Sequence, residues 1–166
     1  MTVPRSRLIS AEHPACYHLV SRCVRRAWLC GQDPVTGRSF EHRRKWIEDR
    51  ILFLCERFAV ELHSYAVLSN HYHLVVRFDP KACERWTDER VATRWLELYP
   101  RQRGAIDEDR RALALAALLE DKRKIALYRA RLGSISWMMK LLNESIARRA
   151  NREDACTGRF WEGRFE

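Results

Sequence analysis

The 166-residue sequence predicts an α+β domain, an antiparallel sheet with helices packed on one face. Three observations predict it. The elements read in the order β-α-β-β, then several helices, then β. The two central strands are separated only by the polar break Ser69-Asn70, which makes them a hairpin. One crossover helix precedes that hairpin and a last segment returns to the sheet, so the order is that of a split, ferredoxin-like β-α-β arrangement.

Each element has a local reason. Residues 1–14 read as a loose arm. Residues 15–25, ACYHLVSRCVR, start β-rich and end in a basic corner of Arg22, Arg25 and Arg26. Residues 31–37 form a Gly/Pro loop. A helix follows from Ser39, with Trp46, Ile47, Ile51, Leu54, Cys55 and Phe58 on one face at three- and four-residue spacing. Residues 61–68 and His71–Phe78 are the hairpin strands. Asp79-Pro80 closes the second strand and opens one or two short helices over 81–98, the second capped by Thr87 and stopping before Pro100. Residues 107–132 read as one long Ala/Leu/Arg-rich helix ending at Gly133. Ser134 caps a last helix with the apolar stripe Ile135, Met138, Met139, Leu142 and Ile146, and Arg148, Arg149 and Arg152 cluster in its final turns, where the helix dipole favours cations. Residues 158–166, GRFWEGRFE, read as a turn entering a strand. The sequence predicts a single domain over 1–166, with 79–133 as a helical insertion.

The charge points to a partner class. Lys and Arg exceed Asp and Glu by 31 − 22 = 9, and most of the excess is arginine, whose planar fork suits phosphate and guanine edges. A nucleic acid is the leading partner. The six cysteines, at 16, 23, 30, 55, 83 and 156, form no C-x-x-C pair, which argues against a zinc ribbon or a thioredoxin motif. With no signal peptide and no apolar run of 18 residues, the expectation is a protein of a reducing cytoplasm with free thiols and no membrane partner.

In LSNHYHLVVRF (residues 68–78), strand alternation puts His71 and His73 on one face with Val75 and Arg77, and Tyr72, Leu74, Val76 and Phe78 on the other. The second row is apolar enough to face the helices, so the histidines belong to the open face. Two imidazoles at i and i+2 can converge on one divalent metal and leave positions free for substrate. The spacing alone carries little; its setting in a hairpin of a basic chain carries more.

His71-Tyr72-His73 is a His-hydrophobe-His motif, and SYAVLSNHYHLVV resembles the corresponding stretch of the single-tyrosine HUH transposases, above all the REP-associated tyrosine transposases and their insertion-sequence relatives. Tyr17-His18-Leu19-Val20-Ser21-Arg22 is similar to that family's first strand, residues 158–165 to its G-x-hydrophobe-W/F-x-x-R-F stretch, and Leu142-Asn143 to a common L-N pair. The resemblance touches most of the chain outside 79–133. It implies a ferredoxin-like sheet whose paired histidines, here His71 and His73, bind Mg²⁺ or Mn²⁺. It further implies DNA transposition by cleavage and strand transfer of single-stranded or hairpin DNA through a phosphotyrosine link, a possible homodimer, and a bacterial, nucleoid-associated setting. The arginines expected on DNA are Arg22, Arg25, Arg26, Arg148, Arg149 and Arg152.

The family's nucleophile lies in a helix after the R-F stretch, in a pattern like Y-x-x-x-N-P. This sequence ends at Glu166, directly after that stretch, so the resemblance implies a C-terminally incomplete domain without its tyrosine nucleophile. Among the tyrosines present, Tyr128 in KIALYRARLG is the one stand-in to consider; Tyr72 should point away from the histidines. Asn151 matches a ligand position poorly; His18, on the strand expected beside that of His71, has a role near DNA or metal as its alternative, but it and His63 read most simply as satisfied, partly buried histidines. Enzymatic activity of this chain is therefore open. The alternative is a non-catalytic DNA-hairpin-binding protein derived from a transposase. A hydrolase using water ranks last, because no Asp or Glu is expected near the hairpin on the histidine face.

Overall fold

A computed structural model describes residues 8–10, 12–24, 28–99 and 108–166. The described chain is α+β. Strands β1 (Ala15–Arg22), β2 (Val60–Val67) and β3 (His71–Phe78) form a sheet in the order β1-β3-β2, with both pairings antiparallel. Helix α1 (His42–Cys55) is the crossover between β1 and β2. After β3 come a 3₁₀ turn (Ala82–Arg85) and the helices α2 (Asp88–Leu98), α3 (Glu108–Glu120), α4 (Lys122–Leu132) and α5 (Ile135–Glu153).

The C-terminal segment does return to the sheet, but not as a regular strand. It runs antiparallel along the free edge of β1, through a single bridge between Cys23 and Trp161 and a backbone pair exchanged between Val20 and Glu166 at 2.7 and 2.9 Å. Between those points Gly163 and its neighbours break the ladder. The sheet order with this segment included is that of the split β-α-β arrangement.

Alternation sorts the two faces of the sheet. Tyr72, Leu74, Val76 and Phe78 of β3 are buried, as are Leu19 and Ser21 of β1. Each large apolar side chain so buried contributes roughly 1.5–3 kcal/mol. Beneath them lie α1, through Ile47, Ile51 and Leu54, and α5, through Ile135, Met138, Met139, Leu142 and Ile146. Strand β2 keeps its apolar residues on this side with a bulge. The register shifts between Leu62 and Ser64, leaving His63 as the extra residue, so that Leu62, Tyr65 and Val67 lie opposite Val76, Leu74 and Tyr72.

Buried residues of the 79–133 region, among them Val91, Trp95, Leu98, Ile125 and Leu132, belong to the same core as the sheet. Thr87 caps α2 and Ser134 caps α5, each accepting from the backbone N–H three residues on. The sequence predicts one helix over 107–132; the chain forms two. Asp121 leaves helical geometry and its carboxylate accepts from the Lys124 N–H at 3.0 Å, which starts α4 anew. Residue 107 itself lies outside the described residues. The crossover helix also starts later than Ser39, whose backbone bridges to Gln32 instead.

The two helices under the sheet are locked by a buried arginine. Arg43 of α1 is fully buried, donating to Glu153 at 3.1 Å, to Asp154 at 2.5 Å and to the Trp28 carbonyl at 2.7 Å. Burial raises the Glu153 carboxyl, but the Arg43 hydrogen bond and the charges of Arg43 and His42 outweigh it and hold the group below its ordinary value.

Candidate functional site

The open face of the sheet carries the histidines. His71 and His73 project from it with ring centroids 4.9 Å apart, at 75° to one another. Strand pairing sets Arg22 opposite His71, and Val20 opposite His73. His18, two residues before Val20, reaches diagonally to His73: their rings are nearly parallel, at 9°, with His18 Nε2 2.8 Å from His73 Nδ1. The sequence predicts a satisfied, partly buried His18; the structure gives an exposed one bonded to a candidate ligand. His63, in the bulge, is exposed and apart from this cluster.

The His71 ring is oriented by its neighbour in the chain. Its Nδ1 lies 2.6 Å from the Asn70 side-chain oxygen, an acceptor, so Nδ1 carries the hydrogen and Nε2 keeps a lone pair. Partial burial, then the positive charge of Arg22, then His73, lower its pKa and favour the neutral ring.

The sequence expects no Asp or Glu on the histidine face of the hairpin, yet Glu61 of β2 stands there, because the pairing of β2 with β3 sets it opposite Arg77, with which it is ion-paired at 3.6 Å. Glu162 pairs by its backbone with Arg22, and Glu166 with Val20, which brings both acids to the rim of the histidine face. Each stands two strands from the matching histidine, about 10 Å at ~4.8 Å per strand. The sequence misses them because the returning segment has no fixed register until it folds. Among the described residues, no group of three or more His, Cys, Asp or Glu is arranged to hold a metal ion. The histidine pair thus fits a two-nitrogen, partial metal site that a phosphate and water would complete.

The arginines expected on DNA are divided. Arg22 stands beside His71. Arg148, Arg149 and Arg152 belong to α5, the layer on the opposite side of the sheet; Arg148 is ion-paired with Glu144, and the Arg149 guanidinium lies 4.5 Å from the centre of the Trp46 ring. Arg25 and Arg26 lie outside the described residues.

None of the five tyrosines shares the histidine face. Tyr17 and Tyr65 lie opposite Val76 and Leu74, on the helix side. Tyr72 is fully buried; its hydroxyl donates to Asn143 Oδ1 at 2.6 Å, and burial raises its pKa well above the ordinary phenol value. Tyr128 lies flat on Trp95 at 4.1 Å, and Tyr99 tilts against the same ring at 5.3 Å. Asn151 donates to the Gly158 carbonyl at 3.0 Å in the turn after α5.

The motif residues on the helix side form one network. Asn143 accepts from Tyr72 and donates to Ser21 Oγ at 2.9 Å, while its backbone carbonyl accepts from Trp161 Nε1 at 2.9 Å. Ser21, Tyr72, Asn143 and Trp161 come from four separate segments. Their polar atoms satisfy one another beneath the sheet.

No family model matches the chain, and no curated protein or solved structure matches it.

Proposed function

We propose that the open face of the sheet is a metal-assisted site for a phosphodiester of single-stranded or hairpin DNA, in the manner of the single-tyrosine transposases that the sequence resembles. The observation that carries this reading is the placement of His71, His73 and Arg22 together on one exposed sheet face. The imidazoles of His71 and His73 would hold Mg²⁺ or Mn²⁺, which when bound neutralises charge on a phosphoryl oxygen. Arg22 offers a fork to a second phosphate oxygen, and the net charge of +9 attracts the polyanion.

A second reading rests on its own observation. With every tyrosine turned to the helix side or packed against Trp95, no tyrosine hydroxyl stands where it would attack a phosphate held by the histidines. On that ground these residues bind the DNA of such a reaction without supplying its nucleophile, whether as a non-catalytic hairpin-binding protein or with a tyrosine provided by another segment or chain.

The test is fluorescence anisotropy of a labelled hairpin carrying a single-stranded flank, with and without Mn²⁺. Binding should strengthen with Mn²⁺ in the unmodified chain but not in the His71→Ala, His73→Ala double variant. Equal Mn²⁺ dependence in the two proteins would refute the metal site, and no binding at low salt would refute the DNA reading.

A further inference from the structure

We infer that His18 is a positioning residue: it accepts a hydrogen bond from His73 Nδ1 and thereby leaves His73 Nε2 bare for a cation. The inference deepens the metal reading above and rests on it.

The 2.8 Å contact between His18 Nε2 and His73 Nδ1 requires one nitrogen to carry the hydrogen and the other to offer a lone pair. If His18 donated, neutral His73 would carry its own hydrogen on Nε2 and would have no nitrogen free to ligate. If His73 donates, its Nε2 is unprotonated. Only the second arrangement matches His71, whose Nδ1 donates to Asn70 and whose Nε2 is already bare.

The two bonds are equivalent in role and different in origin. Asn70 is the residue before His71 on the hairpin turn, whereas His18 comes from the neighbouring strand. The His18 and His73 rings are nearly parallel, at 9° with centroids 4.9 Å apart, which suits an in-plane N–H···N bond, and that bond restricts rotation of His73 about its last torsion. In the chosen arrangement the hydrogen on His18 moves to Nδ1, and this exposed ring can give it to water. Each candidate ligand therefore has an outer partner fixing both its tautomer and its plane, as metal-binding imidazoles generally do. Among the described residues, the side-chain partners of the two imidazoles are Asn70 and His18, and neither is a carboxylate.

Three proteins decide it: the unmodified chain, His18→Ala and His18→Gln. Glutamine places an amide oxygen near the position of Nε2, so it can accept from His73 but cannot coordinate as an imidazole. The first readout is the imidazole tautomer of His73 in the metal-free protein, from long-range ¹H–¹⁵N correlation spectra. The second is Mn²⁺ affinity, from paramagnetic broadening of the His71 and His73 resonances. The expected result is an Nδ1–H tautomer of His73 in the unmodified chain and in His18→Gln, and its loss in His18→Ala. Mn²⁺ binding should weaken by about tenfold in His18→Ala and be largely restored in His18→Gln. An Nε2–H tautomer of His73 in the unmodified chain, or unchanged Mn²⁺ affinity in His18→Ala, overturns the inference and leaves the two-histidine site standing. No Mn²⁺ response in the unmodified chain overturns the metal site itself, and the role of His18 with it. Because His18 is exposed, both variants should fold, and coincident urea unfolding curves check that they do.

Discussion

Replacing Asn143 with alanine should destabilise the fold by roughly 3–5 kcal/mol, because two other buried groups depend on its side chain. Tyr72 is 0% exposed and Ser21 4%, so water cannot take over the bonds they make to Asn143 at 2.6 and 2.9 Å. A buried hydroxyl left without its partner costs about 1–3 kcal/mol, and the lost side-chain volume adds to the two such terms. Against a usual folding stability of about 5–15 kcal/mol this is a large fraction. Tyr72→Phe removes the donor instead of the hub and should cost about 1–2 kcal/mol. The two residues share one bond, so the double variant should be less destabilised than the sum, by about 1 kcal/mol. Urea unfolding followed by tryptophan fluorescence is the assay, with Trp161 a local reporter through its bond to the Asn143 carbonyl. A cost below about 1 kcal/mol for Asn143→Ala, or strict additivity with Tyr72→Phe, would refute the reasoning. It would mean that water reaches the network or that the three side chains are not coupled.

Three further outcomes are expected. Incubating residues 1–166 with hairpin-bearing single-stranded DNA and Mn²⁺ should give no slow-migrating covalent band on a denaturing gel; a band lost in Tyr128→Phe would name an unexpected nucleophile. DNA affinity should fall steeply with salt, and Arg22→Ala should weaken binding and reduce the salt slope by about one contact, whereas Arg148→Ala, already ion-paired on the helix layer, should change both less; a larger effect at Arg148 would move the interface to α5. Acid should weaken the fold through Glu153. Its folded pKa lies below the unfolded value, so its contribution is complete above about pH 4.5 and is lost as pH falls through the folded value; Glu153→Gln should flatten this part of a stability–pH curve, and an unchanged slope would show that Arg43 does not sense the carboxylate.

The parts of the fold legible in the sequence are those set by local periodicity. The His71–Phe78 strand has the predicted limits because its apolar alternation is unbroken, and the stripe of the last helix is buried as its spacing predicts. What escaped depends on partners distant in the chain. Arg43 looks like a surface residue in HRRKW until Glu153 and Asp154, more than a hundred positions away, close on it. Asp121 interrupts a run whose composition favours continuous helix, a matter of one side chain competing for a backbone N–H. His18 shows the same limit at the site. Its strand and face were readable, but the diagonal contact with His73 is fixed by the register between β1 and β3, and no pattern within either strand encodes it.

The division of labour across the sheet follows from alternation, and it constrains the chemistry more tightly than any single contact. In YHLVSR and HYHLVV, each histidine is followed or preceded by a residue bound for the helix layer. Tyr17 and Tyr72 are adjacent in sequence to His18, His71 and His73, yet that adjacency is what puts their hydroxyls on the other side of the sheet. The bulge at His63 does the same for Tyr65, by shifting it into the row of Leu74. A one-residue slip of β3 would exchange the rows, exposing Leu74 and Val76 and burying two imidazoles without partners, at a cost the network of Tyr72, Asn143 and Ser21 makes larger still. The same polar network that fixes the register therefore fixes which groups can meet a phosphate on the open face: imidazole and guanidinium can, and the phenols of the strands cannot.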